Sequence, residues 1–151
     1  FNVPNPPRGK FAAVSDTGGP GSRLMYRDLK LDGPVMLEMT MFYINGFDGL
    51  SGYSSRFVAP RTLAINAGPN QQFRVDLLAP TAAPDSMADA DLRATVFETV
   101  PDAPARRGPT PIRYDLSRWA GQTVRLRIAT ADNQGPLRAG IDDVRLIPIE
   151  R

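Results

Sequence analysis

Hydrophobic residues in this sequence recur mainly at every second position, which is the period of a β-strand rather than that of a helix. The clearest case is 123–128, where apolar residues occupy the even positions and Arg125 and Arg127 occupy the odd ones. The segment 73–77 alternates in the same way. Extended to the last strand, this alternation predicts an interior that contains Phe73, Val75, Leu77, Val124, Leu126, Ile128, Val144 and Leu146.

Short strands between Gly-rich and Pro-rich turns account for most of the chain. The segment 35–44 is apolar on both faces except at Glu38 and Thr40, as in a central strand that is covered on both sides. Further strands are predicted at 10–15, 23–31, 62–66, 94–99, 111–115 and 141–149. Helical character is confined to 85–93 and to one turn at 116–120. The pattern predicts an all-β fold, a two-sheet antiparallel β-sandwich of the jelly-roll type, as one domain spanning 1–151.

The composition removes several classes of chemistry. The 151 residues include no Cys and no His, which excludes disulfides, zinc-thiolate sites and a histidine general base. The net charge is only +2, and no aromatic residues interleave with the arginines, so nucleic acid is not expected as a partner. No run approaches the ~20 apolar residues of a spanning helix, so membrane insertion is not expected.

The terminal segment "IRYDLSRWAGQTVRLRIATADNQGPLRAGIDDVRL" and the opening "GKFAAVSDTGGPGSRLMYRDLKL" carry a family resemblance. They resemble jelly-roll modules of the galactose-binding-like type, which include carbohydrate-binding modules and the MAM-like domains of secreted bacterial proteins. The resemblance implies a secreted, cell-surface or periplasmic location. It indicates the fold more specifically than the function, because such modules bind sugars, mediate adhesion or act as spacers.

The resemblance also implies a calcium ion where the early loop meets the last strand, and Asp16 and Asp142 match these positions. Strand alternation supports this, because Asp142 shares the face of Val144 and Leu146 if those residues point to the core. An inward carboxylate requires a cation or hydrogen-bond donors, and calcium accepts carboxylate and carbonyl oxygens together. Two alternatives are that Arg23 or backbone amides satisfy Asp142, and that a bulge turns it outward.

The sequence lacks the motifs expected of the catalytic classes that its residues would allow. Ser51 does not lie in a G-x-S-x-G motif, and no histidine is present to activate it. Asp142 and Asp143 are adjacent on a strand and therefore point to opposite faces, so they cannot flank one glycosidic bond. A glycosidase or lyase site built from carboxylates of distant strands stays open as an alternative, but no motif indicates one, and we expect that the chain is not an enzyme.

Aromatic residues offer candidate ligand contacts. Phe47, Tyr53 and Phe57 lie in a long loop at 45–60 and are predicted to bind a carbohydrate ring, although they would equally serve to pack the loop. The resemblance implies an interior position for Trp119 instead, because the family's "DLSRWAGQ" turn carries a large residue that closes the end of the sandwich.

Four arginines at alternating strand positions form a possible basic stripe: Arg74, Arg125, Arg127 and Arg145. Such a stripe would attract an acidic polysaccharide unless Glu38, Asp76 and Asp143 neutralise it. The leading hypothesis is a non-catalytic extracellular module that binds a glycan or surface polymer and is stabilised by calcium. The alternative is a structural or adhesive spacer of a larger surface protein, without a small ligand.

Overall fold

Eight β-strands form the described part of the chain, which comprises residues 6–15, 19–46 and 56–150 of this computed structural model. The strands are β1 (Ala13–Ser15), β2 (Gly21–Lys30), β3 (Val35–Asn45), β4 (Gln71–Leu78), β5 (Leu92–Glu98), β6 (Arg106–Asp115), β7 (Thr123–Asp132) and β8 (Leu137–Pro148). A single 3-10 turn at Ser117–Trp119 is the only helical element among these residues.

Two four-stranded sheets pack face to face, with strand orders β1-β8-β3-β6 and β2-β7-β4-β5. Every neighbouring pair is antiparallel. Every connection except the one from β4 to β5 crosses from one sheet to the other, an arrangement compatible with a jelly roll. The predicted fold class, an all-β antiparallel sandwich, is confirmed.

The core lies between the sheets and follows the predicted alternation over most of its area. Phe73, Val75 and Leu77 of β4 are fully buried, and Val124 and Leu126 of β7 are also buried. Burying each large aliphatic side chain stabilises the fold by roughly 1.5–3 kcal/mol.

Aromatic rings fill the centre of this core and close one of its ends. Tyr43 meets the edges of Phe57 and Phe73, with ring centroids 5.3 Å and 6.3 Å away. Trp119 is 5% exposed and stacks on Tyr114, which confirms its predicted structural position. The turn that carries Trp119 begins where the Asp115 carboxylate accepts a hydrogen bond from the Ser117 amide at 2.8 Å.

Irregular chain covers the outer face of the sheet that contains β4. It includes the segments 62–66 and 85–93, for which the sequence pattern predicts a strand and a helix. Leu63 is buried against Ala129 and Ala131 of β7 without joining the sheet. In the second segment, the Ser86 hydroxyl bonds to the Asp91 carboxylate at 2.6 Å, closing a turn where the sequence pattern predicts a helix. Both segments therefore act as a cover, and β4 is buried on both faces.

The last strand departs from regular alternation at a β-bulge. Thr40 of β3 pairs with Asp142 and Glu38 pairs with Arg145, so three residue steps on β8 match two on β3. The extra residue is Asp143, whose φ of 55° lies in the left-handed region, which aspartate tolerates better than most residues. Consequently, odd-numbered residues of β8 point inward as far as Ile141, and even-numbered residues point inward from Val144 onward.

Val144 and Leu146 are 45% and 37% exposed, so the prediction that they are buried is wrong. Leu146 pairs with the fully buried Leu37, which shows that it lies on the inner side of its sheet. It is nevertheless exposed because β1 pairs with β8 only as far as Ile141. Beyond this point no further strand pairs with this edge of β8 among the described residues, and the sandwich they form is open here.

Candidate functional site

An open groove runs between the free edges of β2 and β8 and has a volume of about 650 Å³. Its apolar lining includes Met25 and Leu29 from β2 and Val144 and Leu146 from β8. A smaller pocket of about 250 Å³ lies at the β1 end and shares Met25, Ile128 and Ile141 with the groove lining. The opening thus extends along most of β2.

The two faces of β2 have different surroundings. Met25 pairs with Ile128, which packs against the core, so the odd positions of β2 point inward to the groove. Tyr26 pairs with Arg127 and Asp28 with Arg125, so the even positions lie on the outer face of the sheet. The strand therefore presents different side chains on its two faces, and residues of both faces border the groove.

The outer face of β2 carries an exposed aromatic ring that is supported from its own sheet. Tyr26 is 51% exposed, and the Arg125 guanidinium lies 5.1 Å from its ring centroid. Asp28 accepts two hydrogen bonds from Arg125, at 2.7 Å and 3.1 Å. These bonds hold the pKa of Asp28 below its usual value. We call Tyr26, Asp28 and Arg125 the tyrosine patch.

The possible basic stripe is largely neutralised. Arg74 and Arg127 are 3% and 0% exposed and share the fully buried carboxylate of Asp76. Arg127 also donates to the carbonyls of Pro84 and Ser86, which ties the covering segment to the sheet. We call Arg74, Asp76 and Arg127 the buried ion cluster. It stabilises the fold and offers no surface to an acidic polymer.

Arg145, the remaining member of the predicted stripe, is on the outer face of the other sheet. Its Nε donates to Asp143 at 2.6 Å, and Arg8 lies 3.2 Å from the same carboxylate. Arg113 pairs with Glu38 at 2.8 Å on the neighbouring strands. The charges on this face are therefore paired with opposite charges.

Asp142 lies on the outer face beside Thr40, because the bulge separates it from the inward frame of Val144. The parity argument for an inward carboxylate is thus wrong, and the alternative of a bulge describes the strand. Its two oxygens accept hydrogen bonds from the backbone amides of Arg8 and Asp143, both at 2.7 Å. Asp16 lies outside the described residues.

The surroundings of Asp142 fit a calcium ion only in part. A carboxylate is present, but both of its oxygens already accept N–H groups, and the Arg8 guanidinium approaches the adjacent Asp143. Within residues 6–15, 19–46 and 56–150, no three acidic side chains gather in a group able to hold a metal ion. The predicted calcium site depends on Asp16 and stays a prediction.

An acidic residue that the sequence analysis did not select lies next to the glycine-rich turn. Asp132 is 1% exposed and pairs with Arg23 at 2.8 Å, while Arg23 also donates to the Gly19 carbonyl. Burial raises the pKa of Asp132, and the nearby Arg23 opposes this shift. This contact connects the turn before β2 to the end of β7.

Of the three predicted ligand-binding aromatics, Phe47 and Tyr53 lie outside the described residues. Phe57 is 2% exposed and packs against Tyr43 in the core, so its ring faces no solvent in this structure. The tyrosine patch was not selected from the sequence. The alternation along β2 is the sequence feature that indicates it, because Tyr26 and Asp28 share one face. The pairing with β7 then places them beside Arg127 and Arg125.

Searches against protein-family models, curated proteins and solved structures found no match to this chain. Helices long and apolar enough to cross a membrane do not occur among the residues that the structure describes.

Proposed function

We propose that this chain is a non-catalytic extracellular module that binds a glycan or a related surface polymer at the tyrosine patch. The β-sandwich fold is compatible with the resemblance to galactose-binding-like modules. The tyrosine patch offers an exposed aromatic ring with polar neighbours, a combination that suits a sugar. A secreted, cell-surface or periplasmic location and a stabilising calcium ion at Asp16 and Asp142 belong to the same proposal.

The exposed ring of Tyr26 is the observation that carries the proposal. The apolar face of a pyranose packs on an aromatic ring, and the rigid ring loses little conformational entropy when a ligand binds. Arg125 supports Tyr26 by a cation–π contact, and the bidentate bond to Asp28 holds Arg125 in place. The ring is consequently oriented before a ligand arrives.

Polar groups beside the ring provide acceptors and donors for sugar hydroxyls. Like any ordinary aspartate, Asp28 is ionised at neutral pH and accepts hydrogen bonds without donating a proton, and the hydrogen bond from Arg125 lowers its pKa further. A carboxylate with a lowered pKa is a poor general acid, since glycoside hydrolysis needs an acid whose pKa is raised. The chemistry of the patch thus favours recognition without turnover.

Substitution of Tyr26 by alanine is expected to abolish binding on a glycan array, whereas Tyr26→Phe retains it because the ring face remains. Stacking of this kind contributes about 1–3 kcal/mol when it is measured by alanine substitution of aromatic residues that stack on nucleobases. Wild type and variants would be compared by array signal and by calorimetry with the strongest glycan.

The variant Tyr53→Ala is the matched comparison, because the sequence analysis places Tyr53 in the ligand-binding loop. Loss of binding in Tyr53→Ala alone would move the site to that loop. Equal binding by wild type and Tyr26→Ala would refute the tyrosine patch. If the wild type bound no glycan on a diverse array, the alternative of a structural or adhesive spacer would be favoured.

Calcium is expected to raise the melting temperature. An ion that binds only the folded chain adds about 2.7 kcal/mol of stability at 100-fold over its dissociation constant. Thermal unfolding would be followed by circular dichroism in calcium and in EDTA, with Asp142→Asn as the variant that removes one predicted ligand. An identical midpoint in both solutions, after verified metal removal, would exclude the ion.

A further inference from the structure

The groove between β2 and β8 is bordered by two strand edges that lack a neighbour. Among the described residues, β2 pairs only with β7 along its full ten residues. In the same part of the chain, β8 pairs only with β3 from Asp142 to Pro148. Unpaired N–H and C=O groups along such edges are able to bond to an added strand.

Large apolar side chains are exposed along the same groove. Met25 is 43% exposed on the inward face of β2, and Val144 and Leu146 are on the facing edge of β8. Isolated exposed apolar residues are ordinary, but a contiguous set along a groove indicates an interaction surface. An added strand would cover these side chains and bond to the free backbone edge at once.

We propose that the groove accepts an extended peptide segment of a partner protein, which adds to the free edge of β2 as a further strand. Its inward residues alternate between apolar side chains, which pack against Met25 and Leu29, and an acidic side chain opposite Arg27. The side chains proposed to contact the peptide are on the inward face of β2, whereas Tyr26 and Asp28 of the tyrosine patch are on its outer face and border the groove from there.

The charge of the partner follows from Arg27. This residue is exposed on the inward face of β2, and no hydrogen bond or ion pair to it is found in the described part of the chain. The acids beside the groove are already bound, since Asp28 pairs with Arg125 and Asp143 with Arg145. An acidic side chain on the added strand would pair with Arg27 across the strands.

A second copy of this chain is a poorer occupant of the same edge. Residues that face each other in an antiparallel pair point to the same side, so the inward residues of two β2 strands would meet. Those residues are Arg23, Met25, Arg27 and Leu29, and they include no acid. Self-pairing would therefore place Arg27 opposite an apolar side chain or another arginine.

An acyl chain is also a poorer occupant, because it offers no backbone groups. It would cover the apolar lining but leave the N–H and C=O groups along β2 without a partner from the ligand. An added peptide bonds to those groups with its main chain and places alternate side chains in the groove. At about 3.3 Å per residue, roughly eight residues cover the edge from Arg23 to Lys30.

Selection from a phage-displayed library of random nonapeptides against the whole chain tests the proposal. Enriched sequences are expected to alternate apolar and polar residues and to contain an acid at one inward position. The best peptide, synthesised with a fluorophore, is expected to bind Arg27→Glu at least tenfold more weakly than wild type in fluorescence anisotropy. Hydrogen exchange of the β2 amides is expected to slow when the peptide binds.

The matched control is Arg93→Glu, which makes the same charge change at an exposed residue of β5, the opposite edge of the same sheet. This variant is expected to bind the peptide as the wild type does. Val144→Asp, which introduces an acid on the facing edge, is expected to weaken binding because it repels the acidic peptide and disrupts the apolar lining.

Failure to enrich any peptide would overturn the proposal. Peptides without alternation, equal losses in Arg27→Glu and Arg93→Glu, or unchanged exchange of the β2 amides would overturn it too. Concentration-dependent dimerisation without peptide would assign the edge to a second copy. Tyr26 and Arg27 both border the groove but are on opposite faces of β2, so loss of peptide binding in Arg27→Glu with glycan binding retained would distinguish this proposal from the glycan proposal.

Discussion

Replacing Asp76 by asparagine is expected to lower the free energy of unfolding by about 3–5 kcal/mol. Asp76 is fully buried and accepts hydrogen bonds from Arg74 at 2.7 Å to each oxygen and from Arg127 at 2.6 Å and 3.1 Å. Asparagine keeps the shape but removes the negative charge, so two buried guanidinium groups lose their shared counter-ion. Glu98, 3.6 Å from Arg74, remains but is half exposed.

Urea unfolding followed by circular dichroism measures this change in free energy. The matched control is Asp102→Asn, which disrupts the ion pair of Asp102 with Arg56 at 3.2 Å on the surface. No measurable change is expected there, because water screens the exposed charges. A loss of less than about 1 kcal/mol for Asp76→Asn would mean that the cluster contributes little to stability.

Trp119→Ala is expected to destabilise the fold by about 3–5 kcal/mol, the range typical of large aromatic truncations in a core. Trp119 stacks on Tyr114 at 6.4 Å between centroids, and the Arg118 guanidinium lies 4.8 Å from its ring. Truncation leaves a cavity at the end of the sandwich and removes both contacts. Because the ring is buried, glycan binding by the remaining folded protein is expected to be unchanged.

The same urea experiment applies, with Phe11→Ala as the control. Phe11 is 84% exposed, so its loss is expected to change the free energy of unfolding by less than about 0.5 kcal/mol. Trp119 is the only tryptophan in the chain, so its fluorescence in the wild type offers a second readout. Strong quenching by acrylamide before unfolding would contradict the buried position.

The strands with regular alternation could be predicted from the sequence, because each residue type reports the face on which it lies. This holds for Phe73, Val75 and Leu77 in β4 and for Val124 and Leu126 in β7. The covering segments could not be predicted. The apolar residues around Leu63 look the same in the sequence whether the segment is a strand or irregular chain packed on a sheet. The contact with Ala129 and Ala131, which depends on the tertiary fold, distinguishes the two.

The tyrosine patch and the buried ion cluster show a different limit. Arg125 and Arg127 have the same parity in β7, and the sequence does not reveal that irregular chain buries Arg127 completely while leaving Arg125 near the surface. Likewise, Tyr26 becomes a candidate only when the pairing with β7 places it next to Arg125. Cross-strand register, which depends on the whole fold, therefore determines both sites.

The bulge in β8 is structurally equivalent to one extra residue in an otherwise regular strand. A gene that lacked the codon for Asp143 would encode a regular strand in which Ile141, Val144 and Leu146 still point inward, because the extra residue is the one removed. If the residues after the bulge were shifted by one position in an alignment, their inward and outward side chains would be exchanged. A homologous sequence with a regular last strand would therefore align with this chain with a gap at Asp143, and its groove-facing residues would keep their positions.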